Sequence, residues 1–183
     1  MSKAVMLSVR PKWCEKIARG EKTIEVRKTK PKLETPFKCY IYCTMDHPYI
    51  SVSCGELDKL NYRTNTVGRC NGKVIGEFTC ERIALIAYDG GELSSTTNAA
   101  FSPATCLTQS EIIAYIGDKG SCYGWHMSDL RIYDTPKELS EFKTLCRVDA
   151  DCCACPYYNY TKMDCDGRVI GRPPQSWCYV EEG

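Results

Sequence analysis

Lys22-Thr23-Ile24-Glu25-Val26-Arg27 alternates strictly between polar and apolar side chains, which predicts a β-strand. Ile24 and Val26 take one face. Thr23, Glu25 and Arg27 take the other, gathering a hydroxyl, a carboxylate and a guanidinium within about 14 Å at the strand rise. Just upstream, Ala4–Val9 is a short apolar run that ends at Arg10-Pro11 and predicts a first strand. Pro11 then opens a helix over 11–19, where its missing N–H costs nothing. Trp13 with Ile17, and Cys14 with Ala18, give apolar pairs four apart, and Gly20 stands where a C-terminal cap belongs.

Downstream, strands are expected at 38–44, at 73–87 with a bend or bulge near Gly76, and at 122–134. Residues 45–72 and 88–106 are polar, loop-rich excursions. Thr108-Gln109-Ser110-Glu111 is a capping box that starts a helix over 109–116, stopped by Gly117. A third short helix is expected over 136–142. No repeat shows at a period of 20–50 residues. Many strands with two or three short helices predict an α+β, mostly β fold: a small barrel with peripheral helices.

The 183 residues suffice for one well-buried core, and 43% apolar with 26% charged residues excludes a disordered or fibrous chain. Lysine and arginine number 24 against 23 aspartate and glutamate, so overall charge selects no partner. Its placement is uneven: residues 1–32 carry ten basic side chains and three acidic ones. Such a segment attracts polyanions or is simply a solvated face. No apolar run approaches the roughly 18–20 residues that span a bilayer, and the N-terminus lacks a secretory pattern. The expectation is a cytoplasmic protein with no membrane partner.

Fourteen cysteines are the outlying count. Without an export signal they read as reduced thiols. Eight are scattered, several inside apolar runs. Cys146, Cys152, Cys153, Cys155, Cys165 and Cys178 crowd the last 38 residues. Cys153, Cys155, Cys165 and Cys178, with Cys146 or Cys152 as alternates, offer four soft thiolates for a structural zinc. Reduced structural thiols or a disulfide are the competing readings.

Lys12, Lys22, Glu25 and Arg27 form a strip able to hold a phosphate or a base edge, since Lys and Arg donate while Glu accepts from exocyclic amino groups. Read catalytically, Lys22 is a base and Glu25 positions water. Read plainly, Glu25 pairs with Arg27 or Lys12 in a surface salt-bridge network. His126 is the natural acid or base near neutral pH, on one face with Ser128, unless it is a hydrogen-bonded sheet residue. Trp13 and Trp125 are candidates for stacking a base, or else core residues. Arg10 and the lysines around it suit phosphate contacts.

Ser8-Val9-Arg10-Pro11, leading through a short helix into Gly20-Glu21-Lys22-Thr23-Ile24-Glu25-Val26-Arg27, resembles the signature of the ASCH domain family, a branch of the PUA-like superfold. Gly72–Phe78, Trp125–Leu130 and the closing Arg172–Glu182 also resemble bacterial and prophage ASCH segments. The resemblance implies a PUA-like pseudo-barrel of five or six strands over residues 1–143, with 144–183 as a Cys-rich extension packed on it. It implies a cleft beside the first helix and the following strand, and a ligand of RNA or nucleotide-like character. On that basis Arg10, Lys12, Trp13, Lys22, Thr23, Glu25, Arg27, Trp125 and Ser128 are the expected ligand contacts. Lys22, Glu25 and His126 are the expected catalytic groups if the cleft is an active site. One branch of the family hydrolyses N4-acetylcytidine, and another member is described as a ribonuclease. In the amidohydrolase branch the catalytic lysine falls at Lys22, but its threonine partner falls at Glu25, so that covalent route cannot run unchanged here. A phage-encoded protein-interaction module is the third reading.

Overall fold

Strand β1 (Lys3–Val9) has no solvent face: every residue from Ala4 to Val9 is buried, as its unbroken apolar run requires of a strand covered on both sides. The computed structural model describes residues 2–53, 56–59, 69–89, 92–96, 101–145, 158–159, 161, 164–165 and 168–182. Helix α1 (Pro11–Ala18) begins at Pro11 and turns Cys14 and Ile17 inward. Gly20 follows at φ +71°, a left-handed turn that suits a residue without Cβ. The chain then enters β2 (Ile24–Arg27), which is buried along its whole length.

The remaining elements are β3 (Phe37–Cys43), β4 (Ile50–Ser53), β5 (Glu56–Lys59), β6 (Val74–Asp89) and β7 (Glu92–Ser95), then helices α2 (Phe101–Thr105) and α3 (Gln109–Ile116). They are followed by β8 (Ser121–Lys137), β9 (Tyr158–Asn159), β10 (Asp164–Cys165) and β11 (Trp177–Glu181). The main sheet runs β11-β1-β3-β6-β8-β2, with β7 added beside β6. β1 and β3 are parallel; the other pairs in this sheet are antiparallel. β4 with β5 and β9 with β10 form separate two-stranded ribbons.

The fold is mostly β, as expected, and its continuous path has six strands. β6 and β8 shift register at three places, one of them between Val74 and Gly76. A Cβ at Gly76 would collide with the Arg131 carbonyl, so glycine permits this approach. The Thr108–Glu111 capping box forms with both reciprocal bonds, and α3 stops at Gly117. Where a helix was expected over 136–142, pairing with β6 carries β8 on to Lys137, leaving a 3-10 turn at Leu139–Glu141. The excursions at 45–72 and 88–106 hold β4, β5, β7 and α2.

The main core lies between α1 and one sheet face: Val5, Leu7 and Val9 meet Cys39, Ile41, Ile75, Phe78 and Trp125. On the other face Ala4, Met6, Tyr40, Val74 and Val180 pack with Phe142 and Ile170. Val26 meets Ile112 and Ile116 of α3 in a third cluster. The sheet does not end at residue 143. β11 pairs with β1 over five residues, Lys3↔Glu181 to Leu7↔Trp177, and supplies Val180 to the core. The end of the presumed extension is therefore an integral strand, because β1 is buried on both faces and needs a neighbour on its free edge.

Candidate functional site

β2 ends the sheet at one side, and main-chain pairing does not join it to β1. Arg27 spans this gap. Its Nη2 donates to the Ser8 carbonyl at 2.7 Å, and its Nη1 lies 3.4 Å from both the carbonyl and the hydroxyl oxygen of Ser176. Ser8 in turn is tied to the C-terminal segment: its Oγ donates to the Pro174 carbonyl at 2.5 Å and its N–H to the Ser176 carbonyl at 3.0 Å. A pocket of about 510 Å³ opens here, bordered by the end of β1, the start of α1, β2, α3 and residues Gln175 and Ser176.

The pocket floor is ionic. Glu25 Oε1 lies 2.9 Å from Arg27 Nη2, and Oε2 lies 3.3 Å from Lys22 Nζ. All three side chains are buried, Lys22 with only 3% of its surface exposed. Lys22 Nζ also donates to the carbonyls of Ile24 at 2.9 Å and Thr105 at 2.7 Å, which locks α2 onto β2. Thus two carbonyls take two of the three hydrogens of this ammonium, while Glu25 Oε2 lies within ion-pair distance without a hydrogen bond of its own. Charges so far from water persist only because they pair with each other and with main-chain acceptors.

The walls are aromatic and basic. Trp13 is half-buried, with Lys12 Nζ 4.4 Å and Lys22 Nζ 5.2 Å from its ring centroid. Tyr115 of α3 also lines the pocket and carries Lys28 Nζ 5.1 Å from its ring. Burial pushes the Tyr115 hydroxyl up. Glu111 stands at the rim, where hydrogen bonds from the Thr108 N–H and hydroxyl hold its carboxyl below the ordinary range. Arg10, also at the rim, is largely exposed and 3.9 Å from Asp46.

Of the residues expected from sequence, Arg10, Lys12, Trp13, Lys22, Glu25 and Arg27 converge on this pocket. Thr23 does not. It is exposed and precedes β2, its main chain bonded to Ala104 and Met127. Trp125 is corrected from ligand contact to core. It is fully buried, edge-on to Phe37 at 5.9 Å and 6.1 Å from Trp177. His126 and Ser128 lie outside the pocket. His126 pairs with Ile24 and Arg82 in the sheet, and its Nδ1 is 3.4 Å from an Arg82 nitrogen. Burial, then the Arg82 charge, pushes its pKa down. Ser128 bonds to Thr79 and Asp129.

Sequence reading missed Glu111, Tyr115, Gln175 and Ser176. Glu111 carried only a capping signal. Tyr115 sat in an apolar helix, and the last two sat in the segment taken for an extension. Of the thiols proposed for zinc, Cys146, Cys152, Cys153 and Cys155 lie outside the described residues. Cys165 falls in β10, and Cys178 lies in β11, packed against the Ala4–Met6 side of the sheet, where burial pushes its thiol up.

No family model matches the chain, and no curated protein matches it. Solved structures do. The crystal structure of ASCH from Zymomonas mobilis is 16% identical, with a TM-score of 0.56 over 98% of this chain and 88% of that one. A Tyr-to-Phe mutant of the same protein gives 16% and 0.57 over 99% and 92%, and a Ser-to-Ala mutant gives 16% and 0.57 over 98% and 89%. These likenesses extend across both the β1–β2 region and the C-terminal strand. The chain has the ASCH fold, a PUA-like architecture, over nearly its whole length.

Proposed function

We propose that the pocket recognises RNA or a nucleotide-like ligand, through Arg10, Lys12, Trp13, Lys22, Glu25 and Arg27. The observation that carries this reading is the buried Lys22–Glu25–Arg27 triad beneath an aromatic, cationic mouth. Trp13 and Tyr115 supply π-faces for a base, Lys12 and Arg10 supply charge for phosphate, and the floor carboxylate suits an exocyclic amino group. The ASCH fold favours the same class of ligand in general.

The geometry weighs against Lys22 as a general base. Two of its hydrogens are held by the Ile24 and Thr105 carbonyls, which tie the side chain to the main chain rather than aim it into the pocket. No hydroxyl nucleophile stands at position 25. His126 pairs with Ile24 in the sheet but does not line the pocket. A hydrolytic role on N4-acylcytidine or RNA is therefore the weaker reading.

The described cysteines with placed side chains are all free thiols, and seven of the eight have raised pKa values or full burial. Such a set suits a reducing compartment such as the cytoplasm. No helix among the described residues is long and apolar enough to cross a membrane.

Calorimetric titration with the four ribonucleoside monophosphates tests the reading, comparing wild type with Lys12→Ala and Trp13→Ala. Saturable heat lost in both variants is the expected result. Mass spectrometry of the same mixtures, with N4-acetylcytidine added, reports turnover. Product formed by wild type and not by Lys22→Met would replace the binding role with an enzymatic one. Absence of heat with every nucleotide would remove the nucleotide assignment.

A further inference from the structure

Three thiols from separate parts of the chain meet on the core side of α1. Cys14 of α1, Cys43 at the end of β3 and Cys70 are fully buried in the main core. The side chains of Cys14 and Cys43 are hydrogen-bonded to each other, and Cys70 is close to both. Main-chain geometry fixes this meeting. Cys14 Sγ lies 3.6 Å from the Val9 carbonyl, and Val9 is directly opposite Cys43 in the parallel β1–β3 register. The Cys43 N–H donates to the Lys73 carbonyl at 2.9 Å, and the Cys43 carbonyl accepts from the Gly72 N–H at 2.8 Å. Glu25 of the pocket floor is near enough for its charge to act on Cys14, so the thiols and the floor are neighbours.

We propose that Cys14 and Cys43 are a redox-responsive dithiol, which hydrogen peroxide converts to a disulfide that fastens α1 to β3. One sulfur attacks the peroxide O–O bond and becomes a sulfenic acid; the other then displaces the sulfenic hydroxyl and forms the S–S bond. In each step the thiol proton leaves with the expelled hydroxide as water, and the two sulfurs together pass two electrons to the peroxide. Peroxide is close to water in size, whereas a bulky disulfide such as oxidised glutathione cannot reach thiols with no exposed surface. Burial keeps Cys14 protonated, so the reaction is slow and the pair stays reduced under mild oxidation. In a reducing compartment such a bond is transient, which suits a sensor rather than a permanent brace. Cys39 and Cys80 are also neighbours, diagonal in the β3–β6 register, but a bond there would join strands already laddered together. α1 differs. It is eight residues long, has no side-chain cap at Arg10 and no acidic residue in its first turn, so packing through Cys14 and Ile17 is what holds it. It also carries Lys12 and Trp13, so fastening it fixes one wall of the pocket. Nothing in the pair depends on which ligand that pocket takes.

The test treats the full reduced chain with hydrogen peroxide, digests it without reductant and maps the linkages by mass spectrometry. Half-buried Cys106 reports that oxidant has been delivered. The expected product is a Cys14–Cys43 link that dithiothreitol removes, formed by wild type and by Cys122→Ala, whose thiol lies in a different cluster. Cys43→Ala is expected to lose it, and the wild-type map alone decides should that variant not fold. Hydrogen exchange of the Trp13–Ile17 amides is expected to slow by about tenfold in the linked protein, because α1 then cannot open apart from β3. A Cys43–Cys70 link in place of the expected one would overturn the pair. So would recovery of Cys14 and Cys43 as thiols or sulfinic acids once Cys106 is oxidised. Unchanged exchange in a protein that does carry the Cys14–Cys43 link would overturn the fastening of α1.

Discussion

Arg27 Nη2 donates to the Ser8 carbonyl at 2.7 Å, and through this contact the edge strand β2 is held against β1 where no main-chain ladder joins them. The same guanidinium neutralises Glu25 at 2.9 Å. One side chain therefore closes the sheet and shapes the pocket floor. Removing it would strand a buried carboxylate with Lys22 alone. Arg27→Ala is expected to cost about 3 kcal/mol in urea unfolding, the range for breaking a buried pair. A loss below about 1 kcal/mol would mean that water already screens the triad.

Trp13 is half-buried, packs against the edge of the main core and shares its ring with two ammonium groups at the pocket. Trp13→Ala is expected to weaken oligonucleotide binding by about 5- to 150-fold, the worth of one stacked base. Trp13→Phe should recover part of it. Identical affinities for wild type and the alanine variant would place the ligand elsewhere.

Burial sets the alkaline limit of stability. It pushes the Cys70 and Cys80 thiols up to about 12 and Cys122 up to about 11 from an ordinary 9.0, and raises Cys14 and Cys39 as well. Between about pH 9 and 11 the unfolded chain releases protons that the native chain retains. Stability is complete below that window and falls as pH rises through it, by up to about 1.4 kcal/mol per pH unit for each such thiol. Urea midpoints measured from pH 8 to 10.5 should drop steeply, and less so for Cys122→Ala. A flat profile would show that solvent reaches these thiols in the native protein.

β11 pairs with β1 and supplies Val180 to the core, so folding is expected to depend on it. A chain ending at Gly171 lacks the strand that pairs with Lys3–Leu7 and the segment that borders Arg27. It is expected to lose the cooperative thermal transition seen by circular dichroism. A truncated chain melting like wild type would make residues 172–183 a dispensable extension.

Thr108 caps α3 and fixes Glu111 at the pocket rim through both capping-box bonds. Thr108→Ala is expected to destabilise the protein by about 1 kcal/mol. It also frees Glu111, so nucleotide affinity should shift along with the unfolding midpoint. Unchanged affinity would show that Glu111 does not face the ligand.

The legible parts of this protein are those written in local pattern. Pro11 and Gly20 bound the first helix, Thr108 and Glu111 start the third, and Gly76 marks the bulge, because backbone freedom and capping are properties of a few adjacent residues. The triad was half legible. Alternation put Glu25 and Arg27 on one face but also predicted an exposed strip, whereas β2 is buried on both sides by α3 and the pocket walls. Residue type alone offered Trp125 and Trp13 as equal stacking candidates. Only the sheet distinguishes them, because β8 carries Trp125 into the core against Phe37 while α1 leaves Trp13 at the mouth. Sequence by itself determined the mostly β class, the bounds of α1 and α3 and the residues Lys22, Glu25 and Arg27. Tertiary structure decided that Ser176, 149 positions from Arg27, completes their pocket, since hydrogen bonds and burial act across space and leave no periodic trace along the chain.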